Sequence, residues 1–187
     1  MKSNSIYLII IFTIVIFATG CSSSKKSSVI TNNNAIKSHV IIKKKEPSIK
    51  INTENVKAKE CIEFAETLIG VKYKYGSSVK ENGFDCSGFV WYVFNHFNIT
   101  VPRVSEEFTN AGKEVSISES KPGDIILFTG SDAASAIVGH MGLITENKNG
   151  EITFLHAASG GGKGVMKSKM SEYFIARFVK VNRVFLF

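Results

Sequence analysis

The sequence predicts an α+β domain, with helices packed on one side of an antiparallel sheet. Three observations predict it: two helix-like segments come first, four strand-like segments follow, and an Asn/Gly-bearing stretch joins two of those strands into a hairpin. In the first segment, "NVKAKECIEFAETLIG", Cys61, Phe64, Ala65, Leu68 and Ile69 recur at the spacing of one helical face, and Gly70 suits a terminator. A helix over 57–69 follows. The second segment, "DCSGFVWYVFNHF", is apolar almost throughout and free of proline, which fits a buried helix over 87–97 with Asp85 as its N-cap. A shorter helix is expected near 104–111. Strands are expected at 124–128, 140–146, 151–157 and 177–186, with Gly123 and Asp124 as turn and strand start.

The chain outside this domain has its own signals. Lys2 is followed by "IYLIIIFTIVIFAT", fourteen mostly apolar residues at 6–19, and then by "GCSSSKK". That length suits a secretory signal, whereas a membrane-spanning helix wants about 18 residues or more. Residues 1–20 are therefore expected to be removed on export. Cys21, directly after Ala18, Thr19 and Gly20, resembles the lipidated cysteine of a bacterial lipobox, although Ala18 stands where leucine is usual. Residues 21–56, rich in Ser, Asn and Lys and poor in aromatics, cannot bury enough apolar surface to fold alone and read as a flexible tether. The domain itself is expected at 57–187.

The net charge of +7 belongs to that tether. Residues 22–59 carry nine lysines and two glutamates, whereas 60–187 carry 13 basic and 14 acidic groups. A nucleic-acid-binding domain needs a basic face on folded structure, so no nucleic acid is expected as partner.

Three cysteines occur. Cys61 lies on the apolar face of the first helix and reads as a small buried residue. Cys86 is different: it sits between Asp85 and Ser87 at a helix start, where the helix dipole favours a thiolate, so it is a candidate nucleophile. A nucleophilic thiol needs a base. Of four histidines, His39 lies in the tether, and His96 is ten residues along the Cys86 helix, about 15 Å away at 1.5 Å per residue. His140 and His156 remain, in "HMGLIT" and "EITFLHAA", joined by "ENKNG". If Thr145 pairs with Glu151 across that five-residue loop, His140 falls directly opposite His156 on one face. One imidazole can then take the thiol proton while the other orients it. A one-residue slip would destroy the arrangement. Metal chemistry is the competitor; two histidines and one cysteine, with no HExxH and no paired CxxC, make a thin ligand set, and neither metal nor cofactor is expected.

The blocks "GVKYKYG", "GFDCSGFV", "VPRVSEEF", "KPGDIILF", "GHMGLIT" and "FLHAAS", in this order, resemble the NlpC-type cell-wall peptidases, a papain-like cysteine-peptidase family of bacteria. The resemblance runs over residues 58–187. It implies a papain-like fold, Cys86 as nucleophile, His140 as general base and His156 as the residue orienting it. It further implies that Tyr73 flanks the nucleophile and helps the oxyanion. The Tyr73-to-Cys86 spacing is one residue longer than in some relatives, so Tyr73 and Tyr75 could exchange roles. Asp85 and Ser87 fall where relatives contact the amino end of the substrate, with a plain N-cap role equally open for Asp85. Arg103 falls near the cleft floor, with a structural salt bridge as its other reading. The segment "TGSDAASAIVG" before His140 could shape one cleft wall.

The function implied is a peptidoglycan endopeptidase cutting stem peptides through a cysteine thioester. It would be lipid-anchored through Cys21, monomeric, and held at the outer membrane facing the periplasm. The alternatives are a wall amidase, D,D-endopeptidase or transpeptidase with the same triad, or a non-catalytic wall-binding lipoprotein.

Overall fold

The computed structural model describes residues 49–160 and 164–185. The expected signal segment 1–20, the lipidation site Cys21 and most of the expected tether lie outside the described residues. Among those described, no helix is long and apolar enough to cross a membrane.

The chain runs α1 (Ala58–Glu66), a two-strand ladder of β1 (Ser78–Val79) and β2 (Gly83–Phe84), then α2 (Cys86–His96). A 3₁₀ turn at Ser105–Asn110 precedes β3 (Lys113–Val115). Then come β4 (Ile125–Thr129), β5 (Val138–Lys148), β6 (Glu151–Ala158), β7 (Gly164–Lys169), the one-turn helix α3 (Glu172–Ile175) and β8 (Phe178–Arg183). Six strands form one antiparallel sheet in the order β3-β8-β4-β5-β6-β7. The expected α+β architecture is what the chain adopts. The helix expected near 104–111 is 3₁₀ in form, and β1, β2, β3, β7 and α3 were not expected.

Alternation along the central strands divides the apolar residues between two cores. Ile125, Leu127, Met141, Leu143, Leu155 and Ala157 face the helices and pack with Phe89, Val90, Val93 and Phe94 of α2 and Cys61 and Ala65 of α1. Ile126, Phe128, Ile144 and Phe154 point to the other face and meet Phe174 of α3. Burial on both faces explains why "IILF" reads as a continuous apolar run. Cys61 is fully buried, as expected, and burial pushes its thiol up to about 12, which leaves it inert. α1 stops at Glu66, short of the expected 69; its last turn tightens, Ile69 faces solvent, and Gly70 takes φ +91° with its N–H on the Val165 carbonyl. Ile49, Ile51 and Val56, in the stretch read as tether, pack against the helix-side core.

The β5–β6 hairpin departs most from expectation. Asn149 and Gly150 alone form the turn, with φ of 53° and 92°, the paired positive values of a two-residue hairpin turn. Lys148 pairs with Glu151, Asn147 with Ile152 and Glu146 with Thr153, so the expected Thr145–Glu151 pairing does not form. Continued unchanged, that register would put the two histidines on opposite faces, because the side-chain period is two. A bulge at Thr145 corrects it: beyond it Ile144 pairs with Phe154 and Leu143 with Leu155. Carried one step further, the corrected register sets Gly142 opposite His156 and leaves His140 diagonal to it. A Cβ on Gly142 would stand 3.3 Å from that of His156 and 2.7 Å from the Leu155 carbonyl. The missing side chain leaves room for the diagonal approach.

Candidate active site

Cys86 is the first residue of α2, and the Asp85 carboxylate caps that helix by accepting from the Gly88 N–H at 2.5 Å. Arg103 holds Asp85 bidentately, at 3.0 and 2.9 Å, and also donates to Ser87 Oγ at 3.1 Å. Ser87 Oγ donates back to Asp85 at 3.2 Å. Asp85, Ser87 and Arg103 thus form one network under the helix start. Both readings offered for Asp85 and Arg103 on structural grounds, cap and salt bridge, are present. None of the three lines the cavity described next.

That cavity, about 700 Å³, is lined by Cys86, His140, His156, Tyr73 and Tyr75, among others. Cys86 Sγ lies 3.9 Å from the Gly139 carbonyl, immediately before His140 in the chain. His140 Nε2 and His156 Nδ1 are 2.8 Å apart, their rings nearly perpendicular. His156 Nε2 in turn lies 2.9 Å from Ser168 Oγ on β7. Geometry therefore brings together the three residues the sequence selected and adds a fourth. Ser168 carried no sequence signal: β7, "GVMKSK", has too few apolar residues to announce a strand. Phe128 and Phe154 pack against the two histidines, and Phe174 meets His156 edge-on, fixing the pair in an aromatic box.

Burial sets the charge states. It pushes the Cys86 thiol up to about 11, and the nearby Asp85 carboxylate adds to the rise. The backbone N–H groups of Ser87, Met141 and Cys86 act in the opposite direction and are outweighed. Burial lowers His140 to about 4, and it lowers His156 to about 3 with help from His140. At neutral pH the resting site thus holds a thiol and two neutral imidazoles. The Tyr73 phenol, which lines the same cavity as Cys86, is raised by burial and then by Cys86 and Asp85; Tyr75 lines it too and is 85% exposed. Thr129, Gly130, Ser131 and Gly139 line the cavity too, so the ends of the segment preceding His140 do form a wall. Among the described residues, no group of three or more His, Cys, Asp or Glu is gathered closely enough to hold a metal ion.

A thiol at a helix start, beside a histidine pair on an antiparallel sheet, is the arrangement of a papain-like cysteine hydrolase. The chain belongs to the NlpC/P60 family, whose model matches residues 70–183. It is 37% identical over 117 residues to the murein DD-endopeptidase MepS/murein LD-carboxypeptidase of Escherichia coli, covering 62% of this chain and 56% of that one. It is 36% identical over 107 residues to the bifunctional muramidase/DL-endopeptidase CwlT of Bacillus subtilis, covering 53% and 32%. The gamma-DL-glutamyl hydrolase of the same species is 29% identical over 120 residues, covering 64% and 28%. The chain thus spans about half the length of the first of these relatives and about a third of the others. Among solved structures, a lipoprotein-like NLP/P60 protein of Staphylococcus aureus superposes with a TM-score of 0.59 at 26% identity, covering 68% of this chain and 41% of that one. The peptidoglycan hydrolase RipB of Mycobacterium tuberculosis does so at 0.55 and 27%, covering 70% and 65%.

Proposed function

We propose that this chain is a peptidoglycan endopeptidase that hydrolyses an amide bond in wall stem peptides through a thioester on Cys86. The observation that carries the reading is the 2.8 Å His140–His156 contact in the cavity that Cys86 also lines. The names of the E. coli and B. subtilis relatives, endopeptidases and a glutamyl hydrolase, support the substrate class.

In this reading His140 takes the thiol proton as sulfur attacks the scissile carbonyl carbon. The developing oxyanion is met by the Cys86 N–H and the Tyr73 hydroxyl. The C–N bond then breaks, His140 returns the proton to the leaving amine, and water hydrolyses the thioester to regenerate the thiol. His156 orients His140. Asp85, Ser87 and Arg103 hold the helix start, with contact to the amino end of the substrate as their further role. Signal removal at 1–20, lipidation at Cys21, a tether through residue 56 and outer-membrane anchoring toward the periplasm belong to the same reading; the apolar leader and the cysteine after Gly20 support export.

The test is digestion of purified peptidoglycan by the full chain, with mass spectrometry of the soluble fragments. The reading predicts fragments ending within the stem peptide and bearing a new amino terminus. Release of intact stems would point to an amidase, and no release at all to a wall-binding role.

A further inference from the structure

Arg177 contributes to the wall of the catalytic cavity and has no part in the chemistry described above. It is the one permanently charged residue among the described residues lining that cavity, and no aspartate or glutamate is among them. The two lining histidines are held neutral by burial. The cavity therefore carries one uncompensated positive charge where surrounding protein weakens solvent screening.

The guanidinium is fixed in place. One terminal nitrogen donates to the Tyr173 carbonyl at 3.0 Å and the other to the Ser131 carbonyl at 3.2 Å. Its central carbon stands 3.8 Å from the Tyr173 ring centroid. Tyr173 meets Phe174 edge-on, and Phe174 meets His156 in the same way, so Arg177 lies two aromatic rings from the catalytic pair. These contacts use two of its five N–H groups. Among the described residues no carboxylate pairs with it, and its buried Nε has no hydrogen-bond partner. Among the described residues, the other buried polar side-chain atom without a partner is Thr129 Oγ1, on a residue 5% exposed that lines the same cavity and whose N–H donates to the Arg177 carbonyl at 2.8 Å. Buried polar atoms are nearly always satisfied. Two exceptions meeting at one cavity, with a cation held against the Tyr173 ring, mark a place for a ligand group.

We propose that Arg177, with Thr129 beside it, is a carboxylate-reading subsite, and that the enzyme prefers stem peptides whose residues flanking the scissile bond carry a free carboxylate over the corresponding carboxamides. A guanidinium fork matches the two oxygens of a carboxylate, and a carboxamide offers one acceptor and no charge. Such a carboxylate has two sources, the residue before the scissile bond or the residue after it. The inference rests on the wall-peptide reading above.

The experiment uses the full chain and two pairs of synthetic stem peptides. One pair differs as acid or amide on the residue before the bond, the other on the residue after it. The proposal expects one pair to show an acid preference of about 10- to 100-fold in kcat/KM, the range of a charge-assisted hydrogen bond. That pair identifies the source. In Arg177→Gln the preference should fall to about unity, while Arg177→Lys keeps part of it; melting curves establish that both variants fold. Equal cleavage of acid and amide in both pairs by the wild type overturns the subsite and leaves the peptidase reading standing, without needing any variant. A preference that survives Arg177→Gln overturns it too. Cleavage of none of the four peptides overturns the peptidase reading itself, and this inference with it.

Discussion

At the residue scale the resting site is uncharged, and that has kinetic consequences. With the Cys86 thiol pushed up to about 11 and His140 held near 4, the thiolate–imidazolium pair is not preformed, and the proton must move as substrate is attacked. Alkylation of Cys86 by iodoacetamide should therefore be slow at pH 7 and climb steadily toward alkaline pH. A rate plateau between pH 5 and 8 would instead reveal a stable ion pair. The tautomers follow from the hydrogen bonds. For His140 to accept a proton at Nδ1, its Nε2 must carry hydrogen and donate to His156 Nδ1, which obliges His156 to donate from Nε2 to Ser168 Oγ. Ser168→Ala removes that acceptor and should lower kcat about 3- to 10-fold with KM nearly unchanged, by the worth of one neutral hydrogen bond. Ser168→Thr should restore most of it. A loss confined to thermal stability would make Ser168 merely structural. Cys86, His140 and His156, which line one cavity, were legible as candidates because few residue types do this chemistry and the other histidines could be set aside. Ser168 and Arg177 were not, since serine and arginine on a surface-like pattern are ordinary until folding brings them to a cavity.

At the element scale the decisive feature is the single extra residue in β5. Thr145 bulges, its hydroxyl accepted by the Thr153 carbonyl at 3.2 Å, and the bulge restores the parity that puts His140 and His156 on one face. Deleting Thr145 should close the ladder without the bulge, leaving Glu146 opposite Thr153 and Ile144 opposite Phe154, so both histidines stay on one face and activity remains within about tenfold of wild type, with the folded sheet visible by circular dichroism. A loss of about 10³-fold or more with the sheet intact, comparable with loss of a catalytic base, would show that the bulge does more than absorb the extra residue. The sequence pointed to the histidine pair by the wrong route. Glu146, Asn147 and Lys148 look like loop residues, so the hairpin was expected to turn over five residues, whereas the Asn149–Gly150 pair takes the whole turn. The polar residues simply extend β5 and β6 past the buried sheet centre. Strands of two or three residues, such as β1, β2 and β3, show no readable alternation, and tertiary pairing alone defines them.

At the scale of the whole molecule, burying two neutral histidines couples folding to pH. Both ionise below their ordinary value of 6.5, His140 near 4 and His156 near 3, so the unfolded chain binds protons first as pH falls. Stability should be complete above about pH 6.5 and decline through pH 4, by on the order of 1–3 kcal/mol, ahead of the main carboxylate titrations. Melting curves at pH 7.5, 5.5 and 4.5 check this, and His156→Asn should flatten the decline between the first two. An unchanged slope in that variant would assign the loss to other groups. The fold class was readable because both the helix period and the continuous apolar strands repeat clearly, whereas the packing of Ile49, Ile51 and Val56 was hidden inside a lysine-rich stretch. Everything converges on the thiol at the start of α2. The most direct measurement is the cleavage rate of one defined stem peptide by the wild type, Cys86→Ala and His140→Ala chains, with products identified by mass spectrometry. The account predicts a stem-peptide fragment from the wild type and a loss of at least about 10³-fold in each variant. Cleavage by Cys86→Ala at a rate near that of the wild type would contradict it.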